Sequence, residues 1–95
     1  MASHPVSADF LREIMSTSST ADGRIEWVMD GQPDVTALFE ITNGKAAFAV
    51  EESGMGAVIE GGGVLDGEAL MVDDLNLDAF RQFCEFLRVP GVRRT

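Results

Sequence analysis

Three residue types on which much enzyme chemistry depends are nearly missing from this chain. Histidine, lysine and cysteine occur once each, as His4, Lys45 and Cys84. A single cysteine excludes an internal disulfide framework, and no Cys/His set exists that could hold zinc. A nucleophile–base pair needs a histidine or lysine beside a serine, threonine or cysteine. His4 lies beside Pro5 near the amino end, Lys45 borders a turn, and Cys84 falls on the apolar side of a helical pattern, where a thiol behaves as a small apolar group. The chain therefore reads as a non-enzyme.

Basic charge is scarce too. Sixteen acidic residues face seven basic ones, for a net charge of −9. That balance disfavours direct contact with nucleic acid or an anionic membrane and favours a basic protein partner. No apolar run approaches the roughly 18–20 residues of a membrane helix. Met1 to Ser7 carries neither a basic n-region nor an apolar h-region, so no leader is expected and the cytoplasm is the expected location. Gly61-Gly62-Gly63 lacks the Lys-Ser/Thr of a phosphate loop and precedes no helix start, so it reads as a kink, bulge or loop in a sheet. Glu51-Glu52 and Asp73-Asp74 lack the spacing of a calcium loop and read as solvated charged turns. No cofactor and no metal are expected.

What the chain does have is alternation around a turn. Its 95 residues make one domain with one modest core. Asn43-Gly44 sits between alternating runs, and a two-residue loop of that composition closes a tight hairpin because both residues tolerate positive φ. The register follows, with Thr42 opposite Lys45, Ile41 opposite Ala46, Phe39 opposite Phe48 and Ala37 opposite Val50. One face then carries Val35, Ala37, Phe39, Ile41, Ala46, Phe48 and Val50. A slip of one residue mixes Phe with Glu, so the register is strongly specified. Ser53-Gly54 as a second two-residue loop pairs Val50 with Ala57, Ala49 with Val58 and Phe48 with Ile59. Asp66-Gly67 as a third pairs Leu65 with Glu68, Gly63 with Leu70 and Gly61 with Val72, placing Leu70 and Val72 over glycines.

Arg24 to Asp30 alternates and reads as a first strand with Ile25, Trp27 and Met29 inward, closed by a turn from Asp30 to Asp34. Residues 1–6 read as a loose arm. Ser7 is suited to cap a helix from Ala8 to about Ser18 that gathers Phe10, Leu11, Ile14 and Met15 on one side. A last helix is expected to open at Leu75-Asn76, with Asn76 as its cap and Leu75 stapled onto Phe80. It presents Leu77, Phe80, Phe83, Cys84 and Leu87 on one face, and residues 89–95 form a short tail. The expected fold is an α+β two-layer sandwich. An N-terminal helix, about five antiparallel strands in a meander and a C-terminal helix follow in order, with both helices on one sheet face.

On the other face this register collects Glu26, Glu40, Glu51, Glu60 and Asp73 around a row of Leu38, Ala49 and Val58. One wet face is ordinary for an antiparallel sheet. The same arrangement, small apolar residues inside an acidic rim, also suits a contact surface for a basic protein or a second copy. A closed dimer is expected, through a flat face or a free edge strand. The leading functional expectation is a small protein-binding module acting by occupancy. An inhibitor whose carboxylates imitate nucleic-acid phosphates fits, as does an adaptor of the secretion-chaperone kind, although such chaperones are typically longer and carry a further helix between their strands. The alternative is a sensor holding a small molecule between helices and sheet near Trp27 and Phe83.

Overall fold

Asn43 and Gly44 both have positive φ, +52° and +77°, and reverse the chain as a two-residue hairpin. The pairing on either side is the one the alternation dictates, from Thr42 opposite Lys45 through Phe39 opposite Phe48 to Ala37 opposite Val50. A computed structural model of the chain describes residues 2–6, 23–67 and 69–95.

These residues form seven strands and one helix: β1 (Ser3–Val6), β2 (Gly23–Met29), β3 (Gln32–Thr42), β4 (Lys45–Glu52), β5 (Gly56–Asp66), β6 (Ala69–Asp73), α1 (Asp74–Leu87) and β7 (Val92–Arg94). They make one antiparallel sheet in the order β1-β6-β5-β4-β3-β2-β7. The central five strands are the expected meander. The expected two-helix sandwich is corrected to a seven-stranded sheet crossed by a single helix among the described residues. The helix expected from Ser7 lies outside those residues. No helix among them is long and apolar enough to cross a membrane.

The two added strands come from the segments read as arm and tail. Ser3 to Val6 pairs with Asp73 to Leu70, and Val92 to Arg94 pairs with Met29 to Trp27, so each outer meander strand is covered by a short terminal strand. The tail is held further by the Arg93 Nε–H donating to Asp30 Oδ1 at 2.7 Å and by the Asp30 N–H donating to the Gly91 carbonyl at 2.8 Å. Strands of three or four residues carry no periodicity that distinguishes them from a solvated end, which is why the pattern hid them.

Three turns differ from expectation. The turn expected from Asp30 to Asp34 is the two residues Asp30-Gly31, with Gln32 already opposite Met29 and a register shift that sets Thr36 opposite Val28. β4 and β5 join through the three residues Ser53 to Met55, and a bulge makes Ala57 face Glu51 while Ile59 faces Val50. Val58 is the extra residue. Farther along, Leu65 faces Leu70 and Val64 faces Met71, a two-residue shift from the Asp66-Gly67 register. Leu70 and Val72 still cover a glycine: a Cβ built on Gly63 would lie 3.0 Å from each of their side chains.

The helix begins one turn earlier than its expected cap. Asp73 is the N-cap, and its Oδ1 accepts from the Asn76 backbone N–H at 2.9 Å and from Asn76 Nδ2 at 2.8 Å. Asn76 instead occupies the first turn, and Leu75 is 77% exposed, so it makes no staple. The triple glycine is where the helix start meets the sheet. The Gly62 N–H donates to Asn76 Oδ1 at 3.1 Å, and a Cβ on Gly61 would stand 2.6 Å from Phe48 Cζ and 2.8 Å from that same oxygen. Glycine here permits close approach of a helix.

Phe83 and Phe80 carry α1 onto the core. Phe83 packs on Phe48, Trp27 and Phe39 at centroid distances of 5.3, 5.8 and 6.3 Å, and Phe80 meets Phe48 edge to face at 5.5 Å. Ile25, Ala37, Ile41, Ala46, Val50, Leu70 and Val72 complete the buried set. Fully burying one such side chain contributes about 1.5–3 kcal/mol, so this aromatic cluster is the main hold of helix on sheet.

Candidate functional site: the sheet face opposite α1

Because α1 lies on one face, the alternate residues of β2 to β5 turn to the other. Pairing brings Glu26, Leu38, Ala49 and Glu60 into a single row across four strands. A second row runs Arg24, Glu40, Ala47 and Gly62, and a third runs Val28, Thr36, Glu51 and Ala57. Residues directly opposite on neighbouring strands stand about 4.5–5.5 Å apart, so the carboxylates of Glu26, Glu40, Glu51 and Glu60 surround the half-buried Leu38 and Ala49.

Of the residues expected on this surface, Glu26, Leu38, Glu40, Ala49, Glu51 and Glu60 are brought together. Val58 is not in the row; Glu60 takes the position opposite Ala49, and Val58 sits in the bulge at 52% exposure. Asp73 is absent from the surface as well, since its carboxylate caps α1. An open hollow of about 460 Å³ lies where Leu38, Ala47, Ala49, Glu60, Gly61 and Gly62 leave little side-chain bulk.

Arg24 is the residue that sequence reasoning missed. Its guanidinium donates to Glu26 Oε1 at 2.8 Å and lies 3.8 Å from Glu40 Oε2. The hydrogen bond and charge of Glu26 raise its pKa above the ordinary value, and Glu40 and Glu51 add to the effect. Alternation already sets Arg24 on the same face as Glu26, but its place opposite Glu40 comes from the register shift between Val28 and Met29; a strict count from the Asp30-Gly31 turn would set it opposite Ala37.

The residues with nucleophile or base chemistry are elsewhere. His4 lies on β1 with its Nε2 against the Asp74 carboxylate at the start of α1. Cys84 is ten residues farther along the same helix, about 15 Å at 1.5 Å per residue. Burial pushes the Cys84 thiol above its ordinary pKa, with Arg88 opposing in part. Among the described residues no group of three or more His, Cys, Asp and Glu side chains is placed to hold a metal ion.

The described residues define an antiparallel sheet backed by α1 and bearing an acidic opposite side. No family model, curated protein or solved structure matches the chain.

Proposed function

We propose that this protein is a non-catalytic interaction module that binds a basic protein, one to one, on the face of its sheet opposite α1. The observation that carries the reading is the ring of Glu26, Glu40, Glu51 and Glu60 around Leu38 and Ala49, on a face that α1 leaves uncovered. A solvated face needs no half-buried apolar centre inside its charges, whereas a contact surface combines an apolar middle with a charged rim. The net charge of −9 extends the attraction beyond the contact itself and speeds encounter with a cationic partner. The reading places the protein in the cytoplasm, where its one cysteine stays reduced.

The alternative site for a small molecule, between helix and sheet at Trp27 and Phe83, is filled by those two rings in edge-to-face contact at 5.8 Å. The protein-binding reading is therefore the one developed.

The test compares wild-type chain with the Glu26→Gln/Glu40→Gln/Glu60→Gln variant as bait against extracts of the native host. A basic protein retained at low salt, released as salt rises and lost from the variant is the expected result, because a screened charge contact weakens with ionic strength. Equal retention by the variant, or retention indifferent to salt, counts against the reading.

A further inference from the structure

The hollow on the acidic face is built differently from the carboxylates around it. Its floor is Ala47 and Ala49 of β4 and Gly62 of β5, which project no more than a methyl group, and Leu38 of β3 walls one side. The opposite wall is Glu60, which faces Ala49 from β5. Two of the neighbouring carboxylates already have a cation, since Arg24 donates to Glu26 and lies beside Glu40. Glu60 makes no ion pair among the described residues. The hollow thus couples an apolar floor to one carboxylate whose charge is uncompensated.

A second acceptor stands at the same margin. Asn76 lines the hollow too, and its Nδ2 donates to Asp73 Oδ1, which fixes the amide with its oxygen toward β5. That oxygen takes the Gly62 N–H at 3.1 Å, and a carbonyl oxygen has two lone pairs. Between Glu60 and the Asn76 bond the strand is Gly61-Gly62, so its peptide planes carry no side chain. At about 460 Å³ the hollow falls within the roughly 300–1,000 Å³ of small-molecule sites, but it is open, whereas such sites enclose most of their ligand. An open hollow suits a side chain delivered by a macromolecule that is held at other contacts as well.

We propose that this hollow seats one arginine side chain of the basic partner. Its methylene stem lies over Ala47 and Ala49 beside Leu38, and its guanidinium lies across Gly61-Gly62 toward Glu60 and Asn76 Oδ1. The proposal rests on the reading of this face as a binding surface for a basic protein, and it names the residue that anchors that protein. Charge selects a cation, because the Glu60 carboxylate and the Asn76 carbonyl oxygen accept hydrogen bonds and donate none. The layout of acceptors selects arginine over lysine. A guanidinium is planar, carries five N–H donors in a fixed fork and is weakly hydrated, so it bonds two acceptors while lying flat on bare peptide planes. An ammonium is a strongly hydrated point charge and gains less on leaving water. Either stem covers apolar surface, so the contrast between the two lies in the head group.

Amide spectra of the isotope-labelled full chain, titrated with the blocked tripeptide acetyl-Gly-Arg-Gly-amide and with its lysine counterpart at constant ionic strength, test the seat. The arginine peptide is expected to shift Ala47, Ala49, Glu60, Gly62 and the Asn76 side-chain amide, and to bind about threefold or more tighter than the lysine peptide. Glu60→Gln weakens it about three- to fivefold, the upper range for an exposed ion pair. Glu85→Gln, the same charge change on the outer side of α1, leaves it unmoved. Ala47→Leu fills the hollow without removing a carboxylate and abolishes the localised shifts, while an unchanged urea midpoint shows the fold intact. Equal binding of the two peptides, shifts spread evenly over the acidic residues, no shift at all, or a seat indifferent to Ala47→Leu overturns the proposal. The extract experiment separates it from the reading on which it rests. A basic protein retained equally by wild type and Ala47→Leu keeps the acidic face and removes the arginine seat. A seated peptide with no basic protein retained keeps the seat and removes the reading.

Discussion

Adding one methyl group at Gly61 tests how the helix is seated. In Gly61→Ala the new Cβ falls 2.6 Å from Phe48 Cζ, 3.0 Å from Phe48 Cε1 and 2.8 Å from Asn76 Oδ1. Carbon atoms in contact settle at about 3.5–4.0 Å, so the Phe48 ring has to retreat by roughly 1 Å. It has nowhere easy to go, being 2% exposed and packed against Phe80 and Phe83. An extra methylene in a filled core costs about 1–3 kcal/mol. Displacing Asn76 weakens its bond from Gly62, worth about 1 kcal/mol. Against this, alanine restricts the unfolded chain and returns roughly 0.4–1 kcal/mol. The net expectation is a loss of about 2 kcal/mol in urea unfolding at unchanged m-value, with Tm lower by roughly 8–16 °C. Phe48→Leu, which frees space, loses less in the Gly61→Ala background than in wild type, so the two changes couple. A Gly61→Ala protein within about 0.5 kcal/mol of wild type, with no coupling to Phe48→Leu, refutes the close seating of α1 over β5.

Asp73→Ala removes the acceptor for both Asn76 bonds and is expected to cost about 0.5–2 kcal/mol by urea titration; Leu75→Ser, at an exposed site, leaves monomer stability unchanged. Gly44→Val forces a β-branched residue to φ near +77° and is expected to destabilise by about 1–3 kcal/mol, again by urea titration. Arg24→Gln removes the guanidinium that bonds Glu26 and lies beside Glu40, so binding of the basic partner tightens at low salt and its salt dependence steepens. Burial holds the Cys84 thiol protonated to higher pH than a free cysteine, so alkylation of the folded protein lags a model thiol at mildly alkaline pH and catches up in denaturant. Because the folded pKa is raised, the neutral thiol's stability contribution is lost as pH climbs above the unfolded value, giving a slightly lower Tm on the alkaline side.

The fold was legible wherever local geometry and face segregation agreed. Asn43-Gly44 met both conditions: the two residues accept positive φ, and the flanking Phe39 and Phe48 must share a face. Ser53-Gly54 met only the first. Its loop takes a third residue, Met55, and the bulge at Val58 sets Ile59 opposite Val50 and Ala57 opposite Glu51, where a strict two-residue count sets Ile59 opposite Phe48 and Ala57 opposite Val50. Around Gly61 to Gly63 the pattern falls silent because glycine has no side chain to assign to a face. The reasons for Gly61 and Gly63 lie elsewhere along the chain, in Phe48 and Asn76 for the first and in Leu70, Met71 and Val72 for the second. Asn76 resembled a cap in the sequence because its short amide suits one; Asp73 has the same competence and stands where β6 ends. The acidic face was legible apart from Val58, Asp73 and Arg24, since it follows from the same alternation as the core.

The claim on which the functional account rests is that the sheet face opposite α1 is the binding surface. Titrating the isotope-labelled chain with the basic protein captured from its host, and following backbone amide resonances, tests it directly. The account predicts that shifts and broadening centre on Glu26, Leu38, Glu40, Ala49 and Glu60 and vanish as salt is raised. Perturbations centred on Asp78, Gln82 and Glu85, on the outer side of α1, contradict it.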